Sequence, residues 1–155
     1  SSDDLDNLAR LTDKTDITIA AGESELTSFR FYELLQKRAV DLLQPDLSWV
    51  GGLTEGRRIA ELARSFNIPV VPHNWGTMLN FAASIHLEAS MPQGYLCEYP
   101  ITPRTWGNPE RQPPSPMMTE LTRTPVVVRN GYAEVPSGFG LGIELDEDAV
   151  ARFTV

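Results

Sequence analysis

The stretch AVDLLQPDLSWVGGLTEGRRIAELARSFNIPVVPH, residues 39–73, decides the fold. It opens on an apolar run, Ala39–Leu43, that reads as a strand and closes on Gln44-Pro45-Asp46. A turn rich in Gly51-Gly52 follows, then a helix over about Thr54–Phe66, with Thr54 as its N-cap and Ile59, Leu62, Ala63 and Phe66 inward. A second apolar run, Ile68–Val71, reads as the next strand, with Pro69 and Pro72 near its ends, where proline is tolerated. Strand, loop, helix, strand is one βα repeat. Each of its strands closes on a side chain capable of proton chemistry, Asp46 and His73.

The same phase recurs on either side. Upstream, Ile17–Ala21 reads as a strand leading into Gly22 and Glu23, and a helix over about Thr27–Arg38 offers Phe29, Tyr32, Leu34 and Leu35 to a buried side. Downstream, a helix over about Gly76–Ser90 leads to a short strand, Tyr95–Cys97, that ends on Glu98. A helix from Asp3 to about Asp13 precedes them all. The reactive residues Glu23, Asp46, His73 and Glu98 are separated by 23, 27 and 25 positions, the length of a strand, a loop and a helix. The strands are near-continuous apolar runs without alternation, as in a parallel sheet covered on both faces. Active sites in parallel βα architecture are built at these strand ends.

After Tyr99 the character changes, and prolines from Pro100 to Pro116 predict an irregular segment over residues 100–124. In PVVVRNGYAEV, Asn130-Gly131 between alternating apolar residues predicts a hairpin, and a short helix is expected near Asp146–Phe153. The glycine-rich SGFGLG does not match a dinucleotide loop, since its spacing is not GxGxxG and no long helix follows.

Composition narrows the function. With 155 residues, 41% hydrophobic and 22% charged, the chain is that of an ordinary globular domain. A net charge of −8 with 13 scattered basic residues argues against nucleic acid and membrane surfaces as partners. The lone Cys97 cannot form an internal disulfide, and the acidic SSDDLDNLAR start is unlike a secretory signal, so a cytoplasmic location is expected.

A carboxylate on one strand end and an imidazole on the next hydrogen-bond if the strands are neighbours, which fixes the imidazole tautomer and suits it to move a proton. The plain alternative for Asp46 and His73 is a surface aspartate and a structural histidine. Glu23, reached through small residues Ala20-Ala21-Gly22, could approach a hard cation such as Mg²⁺, with Glu25 as its rival and a solvated loop acid as the alternative. Glu98, at an apolar strand's end, is placed either to give a hydrogen bond or to pair with an arginine. His86, inside a helix, reads as a packing residue. Trp49, Trp75 and Trp106 fall in loops where a pocket could form, Trp75 being the best placed.

Taken in order, AAGE, QPD followed by GG, VPHN, CEYP and the PSGFGLGIELDED tail resemble the carboxy-terminal barrel portion of the mandelate racemase branch of the enolase superfamily, over nearly the whole chain. The resemblance implies an α/β fold, the C-terminal half of a (β/α) TIM-type barrel with parallel strands 5–8 over residues 1–99. A hairpin and tail over 125–155 would pack on the barrel or on a capping domain upstream. It also implies Mg²⁺ held on three strand-end carboxylates and stabilising the enediolate formed when a base removes the proton alpha to a substrate carboxylate. Residue by residue, Glu23 matches a metal ligand and His73 the catalytic acid or base. Asp46 matches the partner of that histidine, and Glu98 the acid that hydrogen-bonds the substrate.

The family's other metal ligands and its lysine-bearing strand lie upstream of the matched region, so this chain is expected to lack activity by itself and to work with a missing N-terminal half. The intact protein is then a lyase or isomerase acting on a small hydroxy or sugar acid, and a homo-oligomer is expected. Acid-sugar dehydration is the first reading, and racemisation or epimerisation of a hydroxy acid uses the same residues. A reading from another class is a non-catalytic α/β module that binds a small ligand at its strand ends, or an inactive structural half.

Overall fold

The computed structural model describes residues 3–92, 94, 96–100 and 116–154. The chain divides into two compact units, one of Ser1–His73 with Leu87–Leu96 and one of Asn74–His86 with Cys97–Val155.

The first unit holds the βα repeats. Helix α1 (Leu5–Thr12) is capped by Asp4, whose carboxylate accepts the Asn7 N–H at 3.1 Å. Strand β1 (Ala20–Ala21), helix α2 (Thr27–Gln36), strand β2 (Leu42–Leu43) and helices α3 (Leu47–Val50) and α4 (Gly52–Ser65) follow. β1 and β2 are parallel, with Ala20 opposite Leu42 and Ala21 opposite Leu43, and Leu43 bridges in parallel to Val70 on the third extended segment. The Leu43 N–H donates to the Pro69 carbonyl at 3.0 Å, and the Val71 N–H to the Leu43 carbonyl at 2.9 Å. Alternate residues face the same neighbour, so Pro72, at the opposite parity to Val71 and His73, removes no donor from the ladder to β2.

Strand order and direction are as expected, but the regular ladder is shorter than the apolar runs. The fourth run differs most: Leu96 and Cys97 are exposed and lie in none of the strands of the described residues, while Tyr95 lies outside them. Helix α4 starts at Gly52, so Thr54 sits inside its first turn and is not the cap. Gly51 both ends α3 and begins α4 with φ +113°, a conformation that side-chain-bearing residues resist. Helix α3 itself, at four residues, is too short to show any periodicity.

The buried side of α2 is Phe31, Leu34 and Leu35. The expected Phe29 and Tyr32 are 82% and 45% exposed. The i, i+3, i+4 stripe therefore lies one step further round the helix. On α4, Ile59 and Ala63 are buried as expected, whereas Phe66 is 41% exposed and meets Tyr32 edge to face at 6.3 Å. No side chain caps α2 locally. Glu55 of α4 accepts the Ser28 N–H at 2.7 Å instead, and the Ser28 and Arg58 hydrogen bonds hold its carboxyl down to about 2.

Helix α5 (Met78–Ser90) carries Glu88, a residue of the first unit that is 7% exposed. Neither carboxylate oxygen has a hydrogen-bond partner among the described residues, and burial pushes the carboxyl up to about 7. With a folded pKa above the unfolded one, the native state holds the extra proton, so the contribution of Glu88 to stability is fully present below about pH 4.5 and is lost as pH rises through 7. Glu88→Gln should flatten that decline. Urea melts at pH 5 and pH 8 should show a contribution of about 2 kcal/mol to the wild-type gap that is largely absent in the variant.

In the second unit, Met78, Phe81, Ala82, Ile85 and Val126 form a core with Tyr99, Ala133, Leu141 and Ile143 against it. The Phe81 and Tyr99 rings meet edge to face at 5.4 Å. Strands β3 (Val128–Arg129) and β4 (Tyr132–Ala133) pair antiparallel through Asn130 (φ +52°) and Gly131 (φ +82°), the hairpin read from Asn-Gly. Helix α7 (Glu147–Phe153) is capped by Asp146, which accepts the Ala149 N–H at 2.9 Å. The proline-rich segment expected to be irregular contains a short helix, α6 (Pro116–Glu120), its proline at the first position, where no N–H is missed. Residues 101–115 lie outside the described ones. No helix among the described residues is long and apolar enough to cross a membrane.

Candidate active site

The parallel register builds the site. Leu43 is level with Val70, a separation of 27 positions, and the same separation carries Asp46 onto His73 three residues further along both chains. The ladder continues that far, because the His73 N–H donates to the Pro45 carbonyl at 3.1 Å. Strands about 4.8 Å apart then bring the two side chains into reach. His73 Nδ1 lies 2.9 Å from Asp46 Oδ2. On the other side, β1 is level with β2 at a separation of 22, which puts Glu23 beside Pro45, and Glu23 Oε2 lies 3.5 Å from His73 Nε2. Glu23, Asp46 and His73 thus converge as a row of acid, imidazole and acid.

Their environments differ. The Asp46 side chain is 4% exposed and that of His73 18%, whereas the Glu23 carboxylate is 62% exposed. Asp46 caps α3, its Oδ1 accepting the Ser48 N–H at 2.8 Å and the Ser48 hydroxyl at 2.5 Å. A carboxylate only accepts, so Nδ1 is the donor in the bond to Asp46, and Nε2 is the ring nitrogen turned toward Glu23. Glu23 is aimed by Gly22, whose φ of +120° makes the turn; a Cβ there would stand 2.9 Å from the Phe31 ring. The rival Glu25 is engaged, its carboxylate 2.8 Å from Arg30 Nε.

Glu98 belongs to the second unit, where its Oε2 accepts the Asn74 N–H at 3.1 Å and its backbone carbonyl accepts from Asn74 Nδ2 at 3.2 Å. His86 packs as read, with Nε2 3.1 Å from the Leu141 carbonyl. Trp49 and Trp75 are 61% and 54% exposed, and Trp106 lies outside the described residues. Ser48 and Asn74 were missed in the sequence. An acid followed two residues later by serine is a capping signal that could have found the first.

Glu23 is a hard oxygen donor, accessible enough to serve as one ligand of a cation such as Mg²⁺. Among the described residues no group of three or more His, Cys, Asp or Glu could hold a metal.

Acid and base side chains gathered at the carboxyl edge of a parallel sheet stand where parallel α/β folds of the barrel type build their sites. Residues 1–149 match the family model described as enolase C-terminal domain-like, and the chain belongs to that family. It is 37% identical, over 96% of its length and 39% of the relative's, to D-galactarolactone cycloisomerase of Agrobacterium fabrum. It is 35% identical, over 94% of its length and 32% of the relative's, to D-xylonate dehydratase of Haloferax volcanii. The crystal structure of a mandelate racemase/muconate lactonizing enzyme from Sulfitobacter sp. superposes with a TM-score of 0.81 at 32% identity, covering 98% of this chain and 35% of that one. The fold is thus the carboxy-terminal portion of a TIM-type barrel of the enolase superfamily, and the chain spans less than two fifths of the length of these three proteins.

Proposed function

We propose that this chain is the carboxy-terminal, base-bearing part of an enzyme that removes the proton alpha to the carboxylate of a sugar acid and eliminates water. The observation that carries the reading is the Asp46–His73 pair, 2.9 Å apart, with Asp46 buried and Nε2 of His73 turned toward Glu23 at 3.5 Å. Asp46 holds the ring in one tautomer and stabilises the imidazolium that forms when Nε2 takes the proton. His73 then holds that proton for return to carbon or for the departing hydroxyl. Glu23 would serve as one ligand of a divalent cation, which when bound supplies Lewis-acid stabilisation of the substrate's carboxylate charge. The remaining ligands would come from the part of the relatives' length that this chain does not span. Glu98 is assigned as the acid that hydrogen-bonds the substrate, on the resemblance of its CEYP motif.

A second reading, an isomerase, is favoured by the 37% identity to a cycloisomerase. It uses the same first step. The intact protein, supplied with Mg²⁺ and a panel of sugar acids in D₂O and followed by proton NMR, separates the two. Loss of water to a 2-keto-3-deoxy acid supports the dehydratase, and solvent deuterium at the alpha carbon of an isomeric product supports the isomerase. An intact alpha proton in every acid overturns both.

A further inference from the structure

We infer that Ser48 is a positioning residue for the Asp46–His73 pair, an inference that rests on the reading of His73 as the proton-transfer group. The Asp46 carboxylate divides its work by oxygen: Oδ2 faces His73 Nδ1 at 2.9 Å, and Oδ1 takes both the N–H and the hydroxyl of Ser48. Capping α3 requires only the backbone N–H. The hydroxyl adds a second donor to an oxygen already bonded, which a four-residue helix does not need.

What the hydroxyl adds is rotational definition. Swapping the two carboxylate oxygens, or turning the carboxylate plane away from the imidazole, breaks both Ser48 bonds at once, and hydrogen bonds to an ionised acceptor are stronger than neutral ones. Asp46 is 3% exposed while Ser48 is exposed, so the serine hydroxyl stands at the water boundary. With Oδ1 held by both Ser48 donors, Oδ2 stays aimed at Nδ1–H, which favours the tautomer with Nε2 unprotonated.

The test uses Ser48→Ala, which keeps the amide and removes only the hydroxyl, and Ser48→Thr, which restores a hydroxyl. In ¹⁵N NMR of the histidine-labelled chain at one fixed pH, the wild type should show His73 as the Nδ1–H tautomer. Ser48→Ala should mix in the Nε2–H form, Ser48→Thr should return the wild-type signal, and His86, held on the Leu141 carbonyl, should not change. In the intact enzyme, kcat should fall about tenfold in the alanine variant with KM unchanged, the scale of one well-placed hydrogen bond. An unaltered tautomer in Ser48→Ala, with only a lower melting temperature, would overturn the proposal and leave Ser48 as a helix cap. A shifted tautomer in a protein whose wild type exchanges no alpha proton supports the positioning and removes the catalytic reading instead.

Discussion

His73→Asn in the intact protein should abolish exchange of the substrate's alpha proton, lowering its rate by about 10²–10⁴, the contribution of a positioned acid or base. Asparagine keeps the backbone N–H that bonds the Pro45 carbonyl at 3.1 Å, so the ladder survives the change. Its amide has no lone pair basic enough to take a proton from carbon. Substrate binding should persist, because His73 is assigned to the reaction and not to a bound carboxylate. Deuterium incorporation followed by NMR, beside a binding isotherm, separates these effects. Full exchange in the variant would remove His73 from the mechanism.

Asp46→Asn should come close to that effect while leaving the fold intact. The amide oxygen can still cap α3 through the Ser48 N–H, so melting temperature should move little. The amide nitrogen then faces His73 Nδ1 and donates where the carboxylate accepted, turning the imidazole to the Nε2–H tautomer and hiding its reactive lone pair. The imidazolium formed during turnover also loses its counter-charge. We expect a drop in kcat of about 10³ or more with KM nearly constant, measured under the same assay. A variant with wild-type kcat would make Asp46 a cap and nothing else.

Much of this site was legible before any coordinates. The runs ending at Glu23, Asp46 and His73 are read correctly because parallel pairing of strands preserves spacing, so repeated separations along the chain become a row across the sheet. The Asn130-Gly131 hairpin was equally legible, since two consecutive positive φ angles leave few residue choices. What escaped was decided by contacts and not by pattern. Phe29 looked like core and is 82% exposed, because the tertiary packing selects Phe31, one of two overlapping apolar stripes on α2. Helix α3 is stabilised by the Asp46 cap and the Gly51 turn, neither of which has a period. Glu88, apolar-flanked in HLEAS, gave no sign that its carboxylate would be buried without a partner.

The register that joins Asp46 to His73 also separates chemistry from everything strung between them. Both side chains are placed by a few backbone hydrogen bonds near Leu43, Pro45 and Val71, and none of those depends on how long α4 is or which residues face outward on it. Helix α4 can therefore diverge in length and surface while the Asp46–His73 pair stays in place. On the function proposed above, a lineage with this architecture would explore new substrates through its loops while inheriting the difficult step unchanged.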